Sequence, residues 1–446
     1  MTRFESLYTA EEMRAAEAGH DVATLMERAG KAVGVAAVEG FFWARAFTVV
    51  CGGGANGGDG RIAAAVIAGE GRDVRVVDAK AGERELGSPE VIVDALFGTG
   101  FRGEPRPDAA ALIEAMNGSG AEILAVDLPS GVDADSGEVA GAAVRANATV
   151  TMHGRKVGLE VAPGRFHAGA VFVADIGLEP RETEAKRVRW DILREVPRRR
   201  PWDNKYRAGS VLVVGGSRGM TGAVSLAAEA AFRADAGYVA VCVPEESLPV
   251  VEMRLLEAVK RRLEDVDDAA TRASAIALGP GLGRDRKDLV RRLLRELEKP
   301  VVVDADALHE LEPGDWPAPR VLTPHAGELA RLLGRESGWV DTHRVAAVRE
   351  AAERFGCVVL LKGADTLIAA PGEGLLVASG GLPSLATAGT GDVLTGIVAA
   401  FLAKGMEPRL AAAAAAAAHA KASVEAPFRA GLVASDVIAA LPRVFG

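Results

Sequence analysis

At 446 residues the chain exceeds what one ordinary hydrophobic core organises, and two domains are expected. Apolar residues at 49%, charged residues at 25% and abundant glycine point to a soluble globular α/β protein. A net charge of −9 argues against nucleic acid as the main partner, yet leaves phosphorylated ligands open, because local backbone dipoles bind those.

The opening stretch MTRFESLYTAEEMRAAEAG has no apolar signal region, and no apolar run reaches membrane-spanning length. The expectation is a cytoplasmic protein without a membrane partner. Cys51, Cys242 and Cys357 each lie in a strand-like apolar run, so buried structural thiols in a reducing compartment are expected.

In chain order, helical patterns cover 10–39, 59–69 and 108–117. Between them, 46–51, 73–78, 90–95 and 122–127 read as buried parallel strands. This rhythm predicts a three-layer, Rossmann-like domain over residues 1–190. Residues 179–209 are charged and proline-punctuated, as an interdomain connection would be. The rhythm then restarts with strands at 210–216, 238–243, 274–279, 300–306 and 357–363, a second three-layer domain over residues 200–446. The alanine tract 411–418 reads as a tightly packed helix.

In the first half, GGGANGGDG (52–60) follows a strand and precedes a helix. Gly52, Gly54 and Gly57 satisfy a dinucleotide fingerprint, with Asp78 about twenty residues on. Asp59 would repel a pyrophosphate there, which argues against an ordinary dehydrogenase grip. DALFGTGFRGE (94–104) and VDLPSGVDAD (126–135) also follow strands, and Asn56, Asp94 and Ser130 could hold a monovalent cation through oxygen. Each of the three also reads as a plain helix cap. Lys156 reads as an anion partner or, more plainly, a surface lysine.

In the second half, VVGGSRGMTGA (213–223), GPGLG (279–283), DADAL (304–308), TPHAGEL (323–329), KGADT (362–366) and AGTGD (388–392) each stand at a strand's carboxyl end. Ligands of open α/β sheets sit there. Within ATAGTGDVLTG (386–396), Gly389 and Gly391 let backbone N–H groups approach a phosphate, and Asp392 is placed to take a proton as a phosphoryl group arrives. The plain alternative is a glycine-rich turn with an aspartate cap, and His325 likewise reads as a strand-end cap.

The string TPHAGE…KGADT…GTGDVLTG resembles the ADP/ATP-dependent NAD(P)H-hydrate dehydratases of the ribokinase-like superfamily, over about residues 200–440. TAEEMRAAE, LMERAG and GGDG are similar to the NAD(P)H-hydrate epimerases, over about residues 5–178. The resemblance implies an α/β chain whose Rossmann-like first domain epimerises R and S hydrates of NADH and NADPH. Its ribokinase-like second domain would dehydrate the S form with ADP or ATP, through a phosphorylated intermediate.

For the first domain it implies K⁺ on Asn56, Asp94 and Ser130, and substrate on Ala55, Asn56, Gly57, Gly58 and Asp59. The loop Gly98, Thr99, Gly100, Phe101, Arg102, Gly103 and Glu104 would also hold substrate, with Asp127 as the proton-transfer group. For the second domain it implies substrate on Ala223, Gly281, Gly283, His325 and Asp392, with Asp392 the base. Lys362, Gly363, Ala364, Asp365, Thr366 and Gly391 would hold the adenine nucleotide, and Glu328 a Mg²⁺-bound water. Homo-oligomers are expected on the same ground.

Two departures stand out. Asn204-Lys205 occupies the place of the family's usual His-Lys, and Ala55-Asn56 that of Asn-Asn. Other readings are a small-molecule kinase fused to a regulatory module, and a first domain that only senses NAD(P).

Overall fold

A computed structural model of the chain describes residues 3–445. They divide into two compact units, residues 6–185 and residues 186–445 with 3–5.

The first unit holds six parallel strands in the spatial order Asp73–Asp78, Ala46–Cys51, Val91–Ala95, Glu122–Val126, Ala148–Met152 and Ala170–Ala174. From Ala46–Cys51 the chain first winds one way to Asp73–Asp78, then crosses to Val91–Ala95 on the other side. The direction reverses between these strands, which opens a crevice at their carboxyl ends. GGGANGGDG leaves one of them and LFGTG the other.

Phe47, Val49 and Cys51 face the helices Val22–Gly40 and Ala55–Gly69, whereas Val50 and Ile92 face Pro107–Gly118. A Cβ on Gly30 would stand 2.5 Å from that of Ile62, and one on Gly34 2.6 Å from that of Val66, so both glycines serve helix packing.

Three details differ from the sequence reading. The helical stretch 10–39 is two helices, Ala10–Glu17 and Val22–Gly40, because Gly19 takes φ +87° and Asp21 caps the second. The helix expected from 59 begins at Ala55, which draws GGDG into its first turns. Ala148–Met152 is a strand whose apolar run is diluted by buried threonines, with Thr149 Oγ1 donating to the Ala168 carbonyl at 2.6 Å.

In the second unit the strands run Leu376–Ser379, Asp365–Ala369, Val358–Leu361, Arg320–Leu322, Val301–Val303, Ala275–Leu278, Ser210–Val214, Tyr238–Val243 and Val259–Arg262. All pairs from Val358–Leu361 onward are parallel, and the two before it are antiparallel. Direction reverses between Ser210–Val214 and Ala275–Leu278. There a Cβ on Gly215 would overlap the Pro280 carbonyl, so the two turns touch.

Helices Thr221–Arg233, Thr390–Ala403, Pro408–Glu425 and Ala434–Val444 share one apolar core, and Ala411–Ala418 are buried throughout. Gly396 serves this packing too, since any side chain would overlap the Ala227 carbonyl. The stretch 179–209 is not linker throughout, because it contains the strand Ala185–Val188 and the turn Trp190–Glu195. All three cysteines are buried and unbridged. Burial pushes the thiol of Cys51 up to about 11 and those of Cys242 and Cys357 up to about 12. Among the described residues no helix is long and apolar enough to cross a membrane.

Candidate functional site

At the first unit's crevice lies a cavity of about 1040 Å³. Its wall includes Ala55, Asn56 and Asp59, the loop residues Gly98–Arg102 and Glu104, and Asp127. Gly57, Gly58 and Gly103 are not in the wall. Gly57 is pressed against the Gly52 carbonyl and Gly58 against the Met26 sulfur, so bare backbone is what lets the helix start fold there. Asp78 binds Arg61 at 2.7 Å and the backbone N–H groups of Lys80 and Ala81, and so is not free for a ribose.

Asp127 sits just past the strand Glu122–Val126 in a left-handed conformation, φ +67°. Such backbone, at about 1–3 kcal/mol, persists where its surroundings over-determine it. Its carboxylate accepts from Thr151 Oγ1 at 3.0 Å, from the Met152 N–H at 3.2 Å and from the Lys156 ammonium. Lys156 has no exposed surface, which overturns its reading as a surface lysine. Its Nζ also donates to Thr151 Oγ1 and to the Met152 carbonyl, both at 2.9 Å, so the buried charge is fully partnered. The sequence offered an anion partner but not which anion, because the chain after Met152 turns back to bring Lys156 under Asp127.

Beneath the glycine turns, Asp94 is wholly buried. It accepts from Ser130 Oγ at 2.6 Å, the Ser130 N–H at 2.8 Å and the Leu96 N–H at 3.2 Å, with no cationic partner among the described residues. Burial nonetheless pushes its carboxyl up to about 6. Asn56 spends its N–H on the Phe97 carbonyl at 2.7 Å, which leaves its own carbonyl oxygen as the group to offer. A buried carboxylate without a counter-charge, among neutral oxygens, fits a monovalent cation held by oxygen.

In the second unit the helix Thr390–Ala403 starts after Gly389, which takes φ +88°. Asp392 is in its first turn but does not cap it, so the plain capping role does not hold. The Lys362 ammonium donates to Asp304 at 2.8 Å, stands 3.9 Å from Glu328, and would lie 3.4 Å from a Cβ on Gly391. Buried Asp304 turns its other oxygen to Thr395 Oγ1 at 2.6 Å. Burial and the facing Asp304, Asp306 and Glu328 push the Asp392 carboxyl up to about 7, against the pull of Lys362. Burial draws the Lys362 ammonium down, but Asp304, Glu328 and Asp392 together outweigh it and hold it above its usual range.

The glycine turns line up beside this cluster. Gly281 takes φ +61° against Met220 and Ala223, and the Gly283 N–H donates to Asp306 at 2.9 Å. His325 caps the helix Ala326–Leu333, its Nδ1 accepting from the Gly327 N–H at 3.0 Å, while Glu328 accepts from the His325 N–H at 2.9 Å. The capping reading of His325 therefore holds, and its Nε2 lies 3.5 Å from the Glu328 carboxylate. Among the described residues no group of three His, Cys, Asp or Glu is set to hold a metal. A Mg²⁺ ion would depend on nucleotide oxygens as well as Glu328.

Within KGADT, the Asp365 side chain is turned away from ligand, fully buried against Arg344 at 3.1 Å. Arg344 also donates to the Asp365 carbonyl at 2.7 Å and sits so close that Gly363 has no room for a side chain. Sequence reasoning missed Arg344, which lies 21 positions upstream with no motif of its own. Asn204 accepts from the Tyr206 and Arg207 N–H groups, both at 3.0 Å, and Lys205 lies 5.2 and 5.6 Å from the Tyr206 and Tyr238 rings.

Residues 211–443 match the family model described as NAD(P)H-hydrate dehydratase, and residues 22–87 and 77–158 match that of the YjeF-related protein N-terminus. The chain belongs to the bifunctional NAD(P)H-hydrate repair enzymes. It is 37% identical to the enzyme so named from Moorella thermoacetica, over 94% of this chain and 92% of that one. Its Pyrobaculum aerophilum counterpart is 39% identical over 94% and 93%. Among solved structures, the ADP/ATP-dependent NAD(P)H-hydrate dehydratase of Bacillus subtilis, co-crystallised with ATP and Mg²⁺, is 30% identical. It covers 57% of this chain and 96% of its own length, with a TM-score of 0.53.

Proposed function

We propose that residues 1–190 interconvert the R and S hydrates of NADH and NADPH, and that residues 200–446 return the S hydrate to NAD(P)H at the expense of ADP or ATP. One observation carries the second half: Asp392 stands in a single cluster with Lys362, at the start of a helix where the Gly391 and Asp392 N–H groups meet no acceptor among the described residues. Hydroxide is a poor leaving group, and phosphorylation makes it a good one. Asp392, near neutrality, takes the proton of the ring hydroxyl as the phosphoryl group arrives. Lys362 neutralises charge on the transferred group, and the N–H groups of Gly391 and Asp392 cradle it. The ring nitrogen's lone pair then expels phosphate, and loss of a neighbouring proton restores the dihydropyridine. Mg²⁺, with Glu328 on its water shell, would neutralise the donor phosphates.

Ala223, Gly281, Gly283 and His325 line the hydrate side of this site, and the backbone of residues 362–366 with Gly391 takes the nucleotide. Arg344 holds that loop in shape from below, at the Lys362–Asp365 turn.

In the first unit, Asn56, Asp94 and Ser130 hold K⁺, which would balance the buried charge on Asp94. The hydrate lies in the cavity above, against residues 55–59 and 98–104, with Asp127 as a proton-transfer group. The test is to incubate the chain with mixed hydrates, Mg²⁺, and ADP or ATP separately, following dihydronicotinamide absorbance. Complete recovery from both epimers is expected. Recovery with neither nucleotide would end the proposal.

A further inference from the structure

Two carboxyl groups of the first unit face one cavity, and the fold treats them in opposite ways. Asp127 receives three hydrogen bonds, one from a buried ammonium. Asp59, on the second turn of the helix Ala55–Gly69, lines the same cavity, yet no described residue donates to its carboxyl group. Three charged groups face it: Glu17 from the helix Ala10–Glu17, Asp127 from the end of Glu122–Val126, and Lys156. The helix Val22–Gly40 packs beside it with Leu25, Met26 and Ala29, which bring no charge.

Hydrogen-bond donors favour the anion of a carboxyl group, whereas burial beside other carboxylates favours its protonated form. We propose that Asp59 is the general acid of epimerisation, donating a proton to the departing hydroxyl, while the Asp127 carboxylate serves as the base. This rests on the reading of the cavity as the epimerase site and gives each carboxyl group one task.

The C–O bond beside the ring nitrogen breaks, and its electron pair goes to oxygen. Oxygen takes the Asp59 proton and leaves as water, while the nitrogen lone pair forms the iminium. Water then adds to the opposite face and yields a proton to Asp127. Solvent exchange reprotonates Asp59 and deprotonates Asp127, so atoms and charge balance. Burial, reinforced by Asp127 and Glu17 against a weaker pull from Lys156, pushes Asp59 up to about 8, which leaves it an acid at neutral pH.

The experiment uses the full chain with K⁺ and no nucleotide, resolving R and S hydrates chromatographically. Asp59→Asn should lower kcat for interconversion by about 10²- to 10⁴-fold, the usual yield of a positioned acid, with KM within about threefold. The wild-type profile should fall as pH rises through about 8, and Asp59→Asn should lose that limb. Asp59→Glu, which keeps an acid in place, should restore part of kcat together with the limb. A loss confined to KM, or a limb that persists in Asp59→Asn, overturns the assignment and leaves Asp59 a substrate contact. If the asparagine variant binds no hydrate, the glutamate variant decides by the same limb. Failure of the wild-type chain to interconvert hydrates would instead overturn the reading of the cavity.

Discussion

The two sites solve the placement of a reactive carboxyl group by different physics. In the first unit, Asp127 rests on a buried lysine and two further donors, on strained backbone, over an open cavity. In the second, Asp392 receives no cap bond and stands among Asp304, Asp306 and Glu328, with Lys362 shared between them. Donors favour a carboxylate's anion, whereas burial together with crowding by like charges tunes one to titrate near neutrality. A fold therefore sets a proton's affinity as much by withholding hydrogen bonds as by supplying them.

The largest break in this comparison should come from Asp392→Asn. Dehydration should fall about 10²- to 10⁴-fold, as expected for loss of a general base, while R–S interconversion is unchanged. Absorbance recovery and epimer chromatography on one preparation check both halves. Next comes Lys156→Met, which leaves the largely buried Asp127 carboxylate without its cation. Removal of one partner of such a pair costs about 3–5 kcal/mol, so thermal unfolding of the first unit should drop and epimerisation should vanish. Retained dehydration of the S hydrate would localise the damage.

A pH series sharpens the contrast. Dehydration should rise with pH through about 7, where Asp392 ionises to become a base. The same raised value has a stability consequence of fixed sign. Asp392 contributes stability that is full below its ordinary pKa of 3.8 and is lost as pH rises through about 7. Asp392→Asn should accordingly melt higher than wild type at pH 8 to a greater extent than at pH 5, by calorimetry. The smallest effect is expected at Lys205→Ala, worth about 0.5–1 kcal/mol of cation–π contact, with kcat unmoved. A large kinetic effect there would place the family's usual His-Lys position back in the site.

Much of this was legible without coordinates, for reasons that can be named. Strands such as Ala46–Cys51 and Ser210–Val214 are buried on both faces and so read as unbroken apolar runs. Asp392 and the glycines before it lie within a few positions of one another, so their spacing already describes a helix start. Short strands diluted by polar residues, such as Ala148–Met152, escaped that reading, as did the break at Gly19.

What the amino-acid order determined by itself was local: the alternation of strand and helix, the glycine turns after strands, and the carboxylates beside them. Tertiary structure alone decided which charges met. It brought Lys156 beneath Asp127, set Arg344 against Asp365, left Asp59 without donors, and gathered Asp304 and Lys362 from two strand ends and Asp392 from a helix start. The physical reason is that proton affinity depends on burial and on neighbours a few ångströms away, and neighbours 58 positions apart, as Asp304 and Lys362 are, leave no periodic trace in the chain.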